Sequence, residues 1–403
     1  DAAADGRQGH AMLARAGVTT ALDLTGPASE TLTIARTHGA GLNIAVLEAP
    51  APGLHMPARP TRAQARDAIG DVLRGGAIGV KLHVDSGWGP EETATIVAEA
   101  RALGAWVAVH CGTSATGSDL RGLAETIAIV GDASVQIAHV NSYCRGDTGD
   151  ADDEARQAIS MLRAAPHLLS ESYLDRHNAA PGEFVHGAPA SPRLVGWLER
   201  AGFPGTADGV RQALLTGWAS IVVSTGGESS LTTGAAAAAE YERRAGRVVL
   251  CLPVNPPEPR VRLATSKTPG GRFDIDALAT DGGGIPRNTT LSAGLALVEL
   301  GYFTVGQLVA KASAVPAALL GLDTKGHLRV GGDADVVIVD PATRRVRMTI
   351  ARGTVVFDDA VGARRAASRI LTTSASAIAG DERLDLARSA QYDDARRKAI
   401  TGR

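Results

Sequence analysis

A (β/α)8 barrel of the TIM type with a small β-sandwich domain is the α/β fold that this sequence predicts, and three observations lead to it. Apolar segments of strand length recur between positions 17 and 281, separated by stretches of helix length. Those segments are apolar throughout, as parallel strands covered on both faces must be. From Gly326 the texture changes to short alternating strands with glycine turns. Seven candidate strands precede that change, which favours a barrel over an open sheet.

Taken in order, GVTTALDL (17–24) and GLNIAVLEA (41–49) open the series. Thr61 is a good N-cap for a helix over 61–74, which Gly75-Gly76 closes. The strand 77–84 follows, then a helix opened by Pro90, Glu91 and Glu92, since proline and acids suit a first turn. Next come AWVAVH (105–110), a helical stretch over 118–130, SVQIAH (134–139) and HLLSESYL (167–174). The span 175–270, rich in Gly, Ala and Pro, reads as a long insertion with some helix and no legible motif. FDIDALATD (273–281) supplies the seventh strand. The expected domains are therefore a barrel over 1–325, the C-terminal part of a β-sandwich over 326–360, and a helical arm over 361–403. The chain opens on Asp1 rather than methionine, so a preceding segment carrying the first barrel strand is expected.

Composition narrows the function. With 44% hydrophobic residues, 21% charged and a net charge of −2, the chain has a core but no basic footprint for nucleic acid or a membrane surface. No apolar run reaches the length of a membrane span. Cys111, Cys144 and Cys251 lack disulfide or CxxC spacing, which points to a reduced, cytoplasmic setting.

Lys81 is the most informative position. It sits inside the apolar run AIGVKLHVD (77–85), although the chain has five lysines among 41 basic residues and otherwise writes arginine. Burial disfavours the ammonium, and a neutral amine can form a carbamate with carbon dioxide, which arginine cannot. A snorkelling or ion-paired lysine is the bland alternative. His110, His139 and Asp281 also lie near the carboxyl ends of separate strands, where a barrel gathers its catalytic loops. Imidazole and carboxylate are standard ligands of zinc and similar ions. Tyr143, Arg145 and Arg287 follow these positions closely and are candidates to bind a substrate carbonyl or carboxylate. His83 is read as turned away from Lys81 and left out of the set.

The motifs GVKLH (79–83), VAVHCG (107–112), IAHVNS (137–142) and ATDGGG (279–284), with LSAGLALVELGYFTVGQLVAKASAVPAALLGL (291–322), resemble the amidohydrolase superfamily. The likeness is to its branch of dihydroorotases, hydantoinases and N-acyl-D-amino-acid deacylases. That resemblance implies hydrolysis of a C–N bond in a cyclic amide or N-acyl amine by a metal-bound hydroxide. It implies two divalent ions, usually zinc, bridged by carboxylated Lys81, with His110, His139 and Asp281 as further ligands and Asp281 as proton shuttle. The three glycines after Asp281 would let substrate approach the backbone. The family's first-strand His-x-His pair has no counterpart here, so a catalytically incomplete subunit is the alternative; a deaminase or lactonase is a third. The expected partners are a small-molecule amide and further copies of the chain, with a separate N-terminal fragment or chain where the first strand is carried apart.

Overall fold

The computed structural model describes residues 6–24, 26–113, 115–225, 228–381 and 384–388. Seven parallel strands stand side by side in chain order: Thr20–Asp23, Asn43–Glu48, Gly79–His83, Trp106–His110, Gln136–Ile137, Leu169–Tyr173 and Ala277–Ala279. These are the seven expected segments, and helices Ala28–His38, Arg62–Arg74, Pro90–Ala102, Leu120–Val130 and Ala151–Ala164 link the first six. Among the described residues the two outer strands do not pair with each other, so these seven form a barrel wall rather than a closed ring, within a sheet of nine strands that Ser368–Thr372 and Leu384–Arg388 complete.

Local chemistry sets these elements. Thr61 and Gln64 form a capping box that starts Arg62–Arg74. Pro90, Glu91 and Glu92 occupy the first turn of Pro90–Ala102. Gly79 has no substitute, because a Cβ there would stand 1.9 Å from the Trp106 carbonyl oxygen of the neighbouring strand. Ile69, Leu73, Ile96, Leu123 and Ile159 are buried between helices and sheet. A second core of Ala45, Leu47, Ile78, Trp106, Ala108 and Leu169 lies in contact with Leu322 and Leu371.

Two segments differ from expectation. The insertion, expected to carry some helix, is a built α/β subdomain with a sheet as well. Its antiparallel sheet runs in the order Glu228–Thr232, Ser220–Thr225, Val249–Leu252, Asn178–Pro181. Leu194, Trp197, Val210, Leu214, Ile221 and Leu250 form its own core. Its strands are four to six residues long and scattered among Gly- and Ala-rich helices, which hid their pattern. The helical arm expected over 361–403 is also corrected. Within it Gly362–Ala363, Ser368–Thr372 and Leu384–Arg388 are strands, and residues 389–403 lie outside the described ones. Ser368–Thr372 pairs in parallel with the start of Asn43–Glu48, through Arg369↔Asn43 and Ile370↔Ile44. The apolar and β-branched run of Ile370, Leu371, Thr372 and Thr373 outweighs the helical composition around it.

Val336–Asp340, Arg345–Ala351, Thr354–Asp358 and Gly362–Ala363 form a separate antiparallel sheet, packed through Ala351, Val356 and Phe357 on Leu13, Leu32 and Leu42. No helix among the described residues is long and apolar enough to cross a membrane.

Candidate active site

Lys81 is 3% exposed, and its Nζ lies 3.4 Å from His139 Nε2. Burial pulls its ammonium down to about 8, against the opposing fields of Glu171 and Asp281. The His139 ring stands between charged neighbours, with Nδ1 3.3 Å from Glu171 Oε1 and 3.7 Å from Asp281 Oδ1. The His110 ring lies 5.2 Å from that of His139, and its Nε2 is 2.7 Å from Ser118 Oγ. Burial first, then His83 and His139, holds His110 well below the usual imidazole range, so its ring is neutral near pH 7. Burial alone would raise the Asp281 carboxyl; Arg287, then His139 and Lys81, outweigh it and keep the group below its ordinary value. Arg287 does this at 3.1 Å, Nη1 to Oδ2.

Three residues named from the sequence, Lys81, His110 and Asp281, thus each lie beside a fourth, His139. The others fall into different places. Tyr143 is fully buried; its hydroxyl donates to the Ala138 carbonyl at 2.7 Å and accepts from the Cys111 N–H at 2.8 Å, which leaves no O–H for a substrate. It ties the His110 and His139 segments together. Arg145 spends Nε on Asn255 Oδ1 (2.9 Å) and Nη2 on Tyr173 Oη (3.0 Å), joining barrel to insertion. Arg287 Nη1 also donates to Asn178 Oδ1 at 2.9 Å, while its buried Nε has no hydrogen-bond partner. Gly282 serves packing rather than substrate approach, since a Cβ there would meet Asn288 Oδ1 at 2.3 Å.

His83 lies beside the set from which it was left out. Residues two apart on a strand share a face, and the His83 ring lies 4.2 Å from that of His110, its register partner. Glu171 was missed altogether. A carboxylate inside the strand-like run HLLSESYL carries the same signal that singles out Lys81. Ser118, in an irregular loop, offered no such signal.

The donor types suit a divalent cation: two imidazoles, a carboxylate, an amine biased toward neutrality, and a buried Glu171 Oε2 without a hydrogen-bond partner. Among the described residues, however, no three His, Cys, Asp or Glu side chains close around one point. The described residues by themselves therefore do not close a metal site.

The amidohydrolase family model matches residues 272–360, the stretch that holds Asp281 and Arg287. The dihydroorotase of Citrifermentans bemidjiense is 41% identical over 85 residues, covering 17% of this chain and 20% of that protein. The chain therefore spans about a fifth of the length of the curated relatives it matches. A D-aminoacylase structure whose subject is its binuclear metal center superposes with a TM-score of 0.61 at 16% identity, over 92% of this chain and 85% of that one. The N-acyl-D-glutamate deacylase of Bordetella bronchiseptica, complexed with zinc and a phosphonate inhibitor, does so with a TM-score of 0.58 at 14% identity, over 95% and 85%. At these identities the structural likeness shows the fold.

Proposed function

We propose that this chain, a member of the amidohydrolase superfamily, hydrolyses a C–N bond in a cyclic amide or N-acyl amine. The observation that carries the proposal is the Lys81–His139–Asp281 array, with Nζ 3.4 Å from Nε2 and Oδ1 3.7 Å from Nδ1. Lys81, His110, His139 and Asp281 would hold divalent ions, zinc first among the candidates, with Lys81 in its carboxylated form as the bridge. Such ions, when bound, supply an activated water and polarise the scissile carbonyl.

The chain's own groups do the rest. Asp281 is ionised and can accept a proton; Arg287 engages Oδ2, which leaves Oδ1 as the atom that carries it to the departing nitrogen. Burial of Lys81 favours the neutral amine that carboxylation requires. The unpartnered Nε of Arg287 is a donor for a substrate carbonyl or carboxylate.

The test is purified protein, assayed for bound metal and offered N-acyl-D-amino acids, dihydroorotate, dihydropyrimidines and hydantoins. Turnover of one class, abolished by a chelator and restored by zinc, is expected. Stoichiometric metal without turnover of any would instead favour the second reading, an incomplete subunit. What supports that reading is that, among the described residues, no three His, Cys, Asp or Glu side chains close around one point.

A further inference from the structure

His139 leaves its strand with φ 41°, in the left-handed region that non-glycine residues enter only when held there. The restraint comes from Glu171, on the adjacent strand, whose Oε1 accepts the His139 main-chain N–H at 2.7 Å. The same oxygen is 3.3 Å from Nδ1 of the ring, and Asp281 Oδ1 is 3.7 Å from that nitrogen. An oxygen that accepts the main-chain N–H presents a lone pair to the ring as well. A lone pair on Nδ1 would face it, so the hydrogen belongs on Nδ1. Nε2 then keeps the lone pair, and Nε2 is the nitrogen 3.4 Å from Lys81 Nζ.

We infer that Glu171 is a positioning residue: one carboxylate oxygen fixes both the left-handed turn and the ring tautomer of His139, so that the Nε2 lone pair faces Lys81. Asp281 cannot replace it. Its Oδ2 is engaged by Arg287, its Oδ1 is farther from the ring, and no bond joins it to the His139 main chain among the described residues. Glu171 is 4% exposed, and a carboxylate so buried is costly unless its contacts compensate. The inference deepens the proposed function and rests on His139 being a functional group.

Protein labelled with 15N-histidine, stripped of metal and held at a pH where the ring is neutral, reports the tautomer by long-range 1H–15N correlation. His139→Asn identifies the signals. The wild type should show Nδ1–H. Glu171→Gln, which keeps an acceptor oxygen, should retain it; Glu171→Met, of similar size without an acceptor, should show a substantial Nε2–H population. Zinc affinity measured by chelator competition should fall about 10–100-fold in the Met variant and far less in the Gln variant, the usual cost of losing a partner that orients a ligand. Nε2–H in the wild type, or an unchanged tautomer in folded Glu171→Met, overturns the inference. The wild-type measurement decides even if the Met variant does not fold. The tautomer is read without substrate, so a hydrolase proposal that fails leaves this result standing, and turnover with the wrong tautomer removes Glu171 alone.

Discussion

Lys81 Nζ and His139 Nε2 face each other at 3.4 Å in the interior of the barrel wall, a cation-capable amine against an imidazole rather than against a carboxylate. An ammonium meant only to be neutralised would sit on Glu171 or Asp281, and both lie close enough to influence it. Burial, which lowers the amine against both carboxylates, is what favours the uncharged form. Lys81→Ala and Lys81→Arg should each lose bound metal, and turnover should drop by at least the ~10–100-fold that indirect ligand partners cost. Acetate or propionate should restore part of the alanine variant's activity by standing in for the carbamate. Metal content unchanged in Lys81→Arg would sink the carbamate.

Asp281 is held ionised by Arg287 at 3.1 Å and carries its free oxygen toward His139. Asp281→Asn keeps size and hydrogen bonding but cannot move a proton. Turnover should fall by about 10²–10⁴-fold. A group whose folded pKa lies below its ordinary value works as a base above that pKa and is lost below it. The acidic limb of the rate profile should therefore disappear in the variant. A near wild-type rate with that limb intact would make Asp281 structural.

What was legible in the sequence, and what was not, follows from how each signal is written. All seven barrel strands were visible because a strand buried on both faces is apolar without a break, and the polar residues of the candidate site stand out against that background. Lys81, His110, His139 and Asp281 were found on this ground. Glu171 obeys the same rule and was overlooked because Ser170 and Ser172 flank it and soften the apolar run. His83 was lost through a misapplied period. Tyr143 and Arg145 were read as substrate-binding residues because they follow His139, whereas their hydrogen bonds to Ala138, Cys111, Asn255 and Tyr173 are tertiary facts. The insertion's sheet depends on Asn178–Pro181 finding Val249–Leu252 across about 70 residues, a pairing that no local pattern encodes.

Lys311 offers a pH test away from the site. Its Nζ donates to the carbonyls of Ala264 and Ile275, each at 2.8 Å, and lies 4.2 Å from the centre of the Phe273 ring. Burial still brings it down to about 7, against the pull of Asp276 and Asp274. The unfolded chain keeps that proton up to about 10.4. Between those values the unfolded state binds more protons than the native one, so stability should rise with pH through the window and stay flat below it. The effect is on the order of a few kcal/mol. Lys311→Met removes it while leaving Lys81, which lies in the same direction, and the buried thiols in both proteins. The difference in unfolding free energy between the two proteins should change between pH 6.5 and 9.5. A difference independent of pH would mean that the Lys311 amine is not suppressed.

The insertion is anchored over the barrel loops in two ways that differ in strength. Arg193 pairs with Asp85 and Arg200 with Asp147, both partly exposed. Trp197, on the same helix Pro192–Arg200, is 5% exposed in the insertion's core and lies under the Arg145 guanidinium, 5.5 Å from its ring centre. Exposed ion pairs contribute about 0.2–1 kcal/mol and weaken with salt. Removing a buried Trp side chain costs about 3–5 kcal/mol, because both apolar burial and packing are lost. Packing should therefore dominate. Urea unfolding should show Arg193→Ala and Arg200→Ala within about 1 kcal/mol of wild type, the difference shrinking further in high salt, while Trp197→Ala falls several-fold lower. Because Arg145 also holds Asn255 and Tyr173, the tryptophan variant should disturb the mouth of the barrel as well, raising KM more than it lowers kcat. If the two arginine variants instead matched Trp197→Ala in stability, the ion pairs would be the hinge of the insertion and its core would be secondary.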